Sequence, residues 1–162
     1  MTITDTQIPP WYKFTELWVI PADWEIIEIN EMMNFVWWAQ PPKFTFIYSS
    51  QPWYIRLIQI RDYKKDDFIT YIPDHLAQKK CLKDDIMIWR YWPPIFQILR
   101  WIEWAYNVAL MKAVPKSNYD KEYIWHFLKQ TWLLRYIELL SQRSSWQTWV
   151  DIASLYIITY RN

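Results

Sequence analysis

Glycine is absent from all 162 residues of this chain, while tryptophan occurs 14 times. At average usage a chain of this length would hold about 11 glycines. The absence removes whole classes of chemistry. A phosphate-cradling P-loop, a dinucleotide-binding turn and a hydrolase nucleophile elbow all need backbone that approaches a ligand closely or bends sharply, and a Cβ obstructs both. Glycine is also the usual occupant of left-handed turn and helix-cap positions. Any such position must here carry a side chain, and the composition points to a designed or heavily diverged sequence.

The length fits a single domain over residues 1–162, large enough to bury a core. Apolar residues make up 52% of the chain, which excludes a disordered one. A formal net charge of +1 leaves no electrostatic footprint for DNA or RNA, so no nucleic-acid partner is expected. Cys81 is the only cysteine and cannot form an internal disulfide. Charges interrupt every apolar run before it reaches about 18 residues, and residues 1–10 lack a basic stretch followed by an apolar one. The expectation is a soluble, cytoplasmic chain with no membrane partner. With 14 Trp, 12 Tyr and 7 Phe, some aromatic surface is expected to stay exposed.

Proline supplies the punctuation. Residues 22–39 read as a long first helix, with Ile26, Ile29, Met33, Val36 and Trp37 at helical spacing and Pro41-Pro42 as its stop. Residues 12–20 read as a strand or a lead-in to that helix. Three β-rich runs, 43–48, 54–61 and 67–72, suggest an antiparallel meander. The run 86–92 is ambiguous. Pro94 suits the first position of a helix reaching Ala113, with Gln97, Arg100, Glu103 and Asn107 as a polar stripe. A further helix is expected over 121–142. A last one, capped by Ser144 or Ser145, carries Trp146, Trp149, Val150, Ala153, Ile157 and Tyr160 on one face, though its end at 155–160 reads equally well as a strand. The expected fold class is α+β: an N-terminal helix, a three- to four-stranded antiparallel meander, a cysteine-bearing loop, then C-terminal helices.

Cys81 lies in a lysine-rich stretch with Lys79, Lys80 and Lys83 close by. Nearby ammonium groups favour thiolate over thiol, whereas Asp84 and Asp85 oppose it. On residue chemistry alone, an inert buried cysteine is the commoner outcome. Asp74-His75 offers a base within short sequence distance. Glu122 and His126, one helical turn apart, give two ligands where zinc needs three or four, and Glu28 with Glu31 lacks a histidine partner. No metal and no cofactor is therefore expected.

Around Cys81 the chain resembles the ubiquitin-conjugating enzymes (the UBC-like fold), most closely the branch that conjugates ubiquitin-fold modifiers. The resemblance rests on Cys81-Leu82, then Trp89, then Pro94 with Phe96, on ELWV at 16–19 before the first helix, and on QPWYIRLIQI at 51–60. It implies Cys81 as the thioester nucleophile, with Lys79, Lys80, Lys83 and Asp74 beside it and Trp89 and Pro94 as structural supports. The implied partners are a ubiquitin-like modifier and its activating enzyme, with transfer onto a lysine amine. Aspartate at 74 would repel a developing oxyanion, and the glycines that flank such active sites have no counterpart. The alternatives are a non-enzymatic domain that satisfies a fold without chemistry, and an interaction module with an aromatic surface.

Overall fold

The computed structural model describes residues 8–14, 19–90, 96–143 and 156–160. In chain order its strands are β1 (Tyr12–Phe14), β2 (Val19–Pro21), β3 (Trp24–Glu28), β4 (Met33–Val36), β5 (Tyr54–Ile58), β6 (Tyr71–Pro73), β7 (Lys80–Cys81), β8 (Ile86–Trp89), β9 (Gln97–Leu99), β10 (Trp104–Tyr106), β11 (Leu110–Pro115) and β12 (Tyr156–Tyr160). Its helices are the single turn α1 (Ile29–Met32), then α2 (Lys121–Leu128) and α3 (Thr131–Arg143).

Two four-stranded sheets carry the structure. The first runs β4-β11-β8-β9, antiparallel throughout, and the second runs β6-β5-β10-β7 with β5 and β10 parallel. Successive side chains of a strand point to opposite faces, and in β8 both faces are buried. Ile86 and Ile88 pack with Met111 and Ala113 of β11 against Ile124, Phe127 and Leu128 of α2 and Leu133 and Ile137 of α3. Met87 and Leu110 turn the other way, into a core shared with Leu57, Ile58, Ile72 and Tyr106 of the second sheet. Helices, first sheet and second sheet therefore stack as three layers. Hydrogen bonds tie the sheets together: the Trp38 indole N–H donates to the Tyr106 carbonyl, the Tyr106 hydroxyl donates to the Val36 carbonyl at 3.1 Å, and Lys112 Nζ of β11 donates to the Lys80 carbonyl of β7 at 3.2 Å.

This architecture corrects the expected fold class. Residues 22–39 form no long helix: they fold as β3, the one turn of α1 and β4, with β3 paired to β12 and β4 to β11. Glu28 and Glu31 close a capping box on that turn. Their carboxylates accept from backbone amides of that turn. Ile26 to Phe35 is rich in β-favouring residues, and long-range pairing outweighed a helical spacing that was only approximate.

The helix expected over 94–113 is likewise replaced, by β9, β10 and β11. Its polar stripe dissolves, since the Arg100 side chain is 2% exposed. The meander is lost as well. Residues 43–48 give a 3-10 turn at Lys43–Thr45 and one bridge, Ile47 to Tyr71, while β5 takes β10 from far along the chain as its second neighbour. The run 86–92 resolves into β8 over its first four residues. The helix expected over 121–142 is helical but breaks in two, with Asp120 capping α2 through the Glu122 and Tyr123 amides. Of the last expected helix, residues 144–155 lie outside the described residues and 156–160 form β12, the strand alternative. Helices therefore close the first sheet from the C-terminal side.

The missing glycine leaves a direct trace. Trp53, Phe96, Trp101 and Trp104 all adopt positive φ, at 67°, 61°, 84° and 112°. Trp53 is the clearest case. Gln51 to Tyr54 closes a turn through the Tyr54 amide and the Gln51 carbonyl at 3.2 Å, with Pro52 at its second position. That is the pattern of a type II turn, which wants glycine where Trp53 stands. A left-handed residue with a Cβ costs about 1–2 kcal/mol, while glycine costs up to about 1 kcal/mol through unfolded-state freedom. Because Trp53 is 89% exposed, little burial is lost on replacing it. Trp53→Gly is therefore expected to stabilise the fold by up to about 1 kcal/mol in chemical denaturation, with Trp53→Ala giving no gain. Alanine more stabilising than glycine at position 53 would contradict the strain.

Candidate functional site

The second sheet holds a concave pocket of about 680 Å³ beside its β5-β6 and β7-β10 strands. Register explains which side chains line it. Tyr54 and Arg56 are two apart on β5, Tyr71 stands opposite Arg56 on β6, and Trp104 of β10 stands opposite Cys81 of β7. Trp53 and Ser50 come from the preceding turn; Ile55, Ile69, Asp74, Lys80, Leu82 and Glu103 complete the lining. Four aromatic rings thus share one pocket with two cations and two carboxylates. The formal charge of the lining is balanced.

The charged groups are already engaged. Arg56 Nη2 lies 2.6 Å from Asp66 Oδ1 and 3.4 Å from Asp62 Oδ2. Asp62 is almost wholly buried, and its Oδ2 also accepts the Gln59 amide at 3.1 Å. Removing one partner of such a buried pair is far costlier than the pair is stabilising. Arg56 Nε, Asp62 Oδ1 and the Tyr63 hydroxyl are buried without a hydrogen-bond partner. Burial pushes the Tyr63 phenol upward, and nearby Cys81 and Asp62 add to the shift.

Three of the residues singled out in the sequence meet in this pocket. Lys80 Nζ and Asp74 Oδ1 form an ion pair at 2.6 Å, and Cys81 lines the same cavity. Lys83 instead reaches Glu103 at 3.7 Å, and Lys79 is exposed. Trp89 packs against the second core, whereas Pro94 lies outside the described residues, as do Glu16, Leu17 and Trp18 of the ELWV stretch.

The lysines do not set the state of the thiol. Cys81 is 2% exposed, with Sγ 3.5 Å from the Ile102 and Trp104 carbonyls, either of which can accept its S–H. Burial pushes its pKa up to about 12; Asp85 adds to the rise and Lys112 opposes it. Desolvation therefore outweighs the neighbouring ammonium groups, opposite to the direction a lysine-rich sequence suggests.

The histidines lie elsewhere. His75 and His126 are exposed, and Glu122, read as a partner of His126, is held by Arg100 in a two-pronged pair at 2.7 and 2.9 Å. That hydrogen bonding holds the Glu122 carboxyl below the ordinary carboxylate range. Its contribution to stability is present above that range and is lost as pH falls through the lowered value. Among the described residues no group of three or more potential ligands could hold a metal ion. No described helix is long and apolar enough to cross a membrane.

The sequence offered no sign of Arg56, Tyr54, Tyr71, Trp53 and Trp104 as one constellation. They come from segments 50 residues apart that only the parallel β5-β10 pairing joins. The one available hint was an excess of aromatic residues beyond what a core requires.

Comparison with known proteins supplies a different context. No family model matches the chain, and no curated protein sequence does. Among solved structures, the chain is similar to the HsdS subunit from Thermoanaerobacter tengcongensis, with a TM-score of 0.56 and 15% identity over 86% of this chain. It is also similar to a chain solved in work on complex assembly and conformational transition of the type I R-M system, with a TM-score of 0.58 and 16% identity over 86% of this chain. The chain spans 34% of the length of each. At this identity the likeness is one of fold.

The resemblance to ubiquitin-conjugating enzymes is therefore corrected. The short run Cys81-Leu82, Trp89 and Phe96 sits in a sheet fold shared with an HsdS subunit, not in a helix-meander-helix one. With it go thioester transfer and the modifier and its activating enzyme as partners. The exclusion of nucleic acid, which rested on net charge, is set aside by the fold shared with an HsdS subunit. Cys81 should react with iodoacetamide at pH 8 on the order of 10³-fold more slowly in the native chain than in denaturant, given the thiolate fraction each state allows. Equal rates would contradict the buried, protonated thiol.

Proposed function

We propose that this chain is a DNA-recognition domain of the kind carried by type I restriction-modification specificity subunits, folded as a single unit over residues 1–162. It acts by binding; its partners are duplex DNA and the other subunits of such a system. The observation that carries this reading is the shared fold with the HsdS subunit over 86% of the chain. Coverage of 34% of that longer protein fits one recognition unit within a larger subunit.

A net charge near zero does not by itself oppose binding to nucleic acid. Net charge sums the whole chain, whereas phosphate contacts need only a few local cations, and base edges are read largely by neutral groups. Most acidic side chains near the second sheet are consumed internally: Asp62 and Asp66 by Arg56, Asp74 by Lys80, and Asp85 by Lys112 at 3.0 Å. Among the described residues, Lys64 and Lys65, exposed in the β5-β6 loop, form no ion pair, nor do exposed Lys43 and Lys79. Such cations can meet phosphate. The same loop presents Phe68 at 69% exposure.

Fluorescence anisotropy with a labelled duplex tests this directly. Binding should weaken with salt, and Lys64→Ala with Lys65→Ala should reduce the slope of log affinity against log salt by about 2, uniformly across sequences. No binding to any duplex at about 50 mM salt, where phosphate contacts are strongest, would overturn the reading.

A further inference from the structure

We infer that the pocket beside Arg56 accepts one unpaired nucleobase of a bound DNA, held against the rings of Trp53 and Trp104. The inference rests on the DNA-binding reading and goes beyond it by naming what the pocket takes.

The lining rules out a phosphate as occupant. Arg56 is held by Asp62 and Asp66, and Lys80 by Asp74, so neither cation is free to meet an anion, and the lining as a whole is neutral. What remains is flat and aromatic. Trp53 is 89% and Trp104 49% exposed, and neither ring stacks on another among the described residues. Both also sit at positive φ, a conformation that costs energy for any residue with a side chain. Trp53 in particular buries little against the core, and the exposed part of each ring is accessible to a planar ligand. The volume of about 680 Å³ falls within the usual range for a small-molecule site and leaves room for a base with its sugar. Hydroxyl-bearing Ser50, Tyr54 and Tyr71 are among the lining residues and can meet the polar edge of such a ring.

The magnitudes decide which base enters. Stacking on one aromatic side chain is comparable to the cost of drawing a base out of a duplex. A paired base therefore stays in its helix, while one already unpaired enters at a gain.

The test uses the whole chain and two labelled DNAs: a perfect duplex, and the same duplex with one extra, bulged thymidine. Anisotropy should show the bulged duplex bound about tenfold more tightly, and Trp104→Ala or Trp53→Ala should each cut that ratio to below about twofold. Since Trp104 lies within β10, Trp53→Ala, in an exposed turn, carries the test if Trp104→Ala does not fold. Equal binding of both DNAs by the unaltered chain would overturn the pocket inference and leave duplex recognition standing. A preference that survives in the folded variants would also overturn it. Failure to bind either DNA would overturn both readings.

Discussion

Burial of β8 on both faces is the constraint from which the rest of the structure follows. Ile86, Met87 and Ile88 are all fully buried, and they alternate between the helix layer and the second sheet. One strand therefore needs cover from two sides. Its neighbour β11 repeats the pattern, with Met111 toward the helices and Leu110 toward the second sheet. Each fully buried side chain of this size is worth about 1.5–3 kcal/mol, so neither layer can leave without exposing residues that the other cannot shelter. The second sheet, and with it the pocket, is positioned by what packs under Met87 and Leu110.

Above that frame, the absence of glycine shapes the surface. Four bends that would suit glycine carry tryptophan or phenylalanine, and three of these rings, Trp53, Trp101 and Trp104, are substantially exposed. Two of them line the pocket. A chain selected only for stability would discard them, because the backbone gains from glycine and the side chains bury little. Their presence at one mouth of the second sheet, beside exposed Leu82, is consistent with a surface made for contact.

Some of this was legible in the sequence and some was not. The helical character of 121–142 was legible, whereas the Asp120 cap and the break between α2 and α3 were not. The β content of 54–61 was visible in its β-branched and aromatic residues and is realised over 54–58, that of 67–72 is realised only from Tyr71, and 155–160 was legible as a possible strand. Residues 22–39 and 94–113 misled for the same reason. Their strands are only three to six residues long, too short to show a clean period of two, and closely spaced apolar and aromatic residues fit a helical spacing almost anywhere. Nothing local announces that β10 will lie parallel to β5, a pairing between segments 50 residues apart. Since the pocket exists only because of that pairing, its residues could not have been grouped from sequence. Cys81 was read both ways, and burial, a tertiary property, decided between them.

Hydrogen exchange of the chain with and without saturating duplex DNA decides whether the second sheet carries the recognition surface. Strands β8 and β11 should be protected in both states. Protection should be gained in the loop at 59–70 and in the segments at 50–53 and 101–104 that frame the pocket. Protection unchanged everywhere, or gained only along α2 and α3, would contradict a DNA-recognition surface on the second sheet.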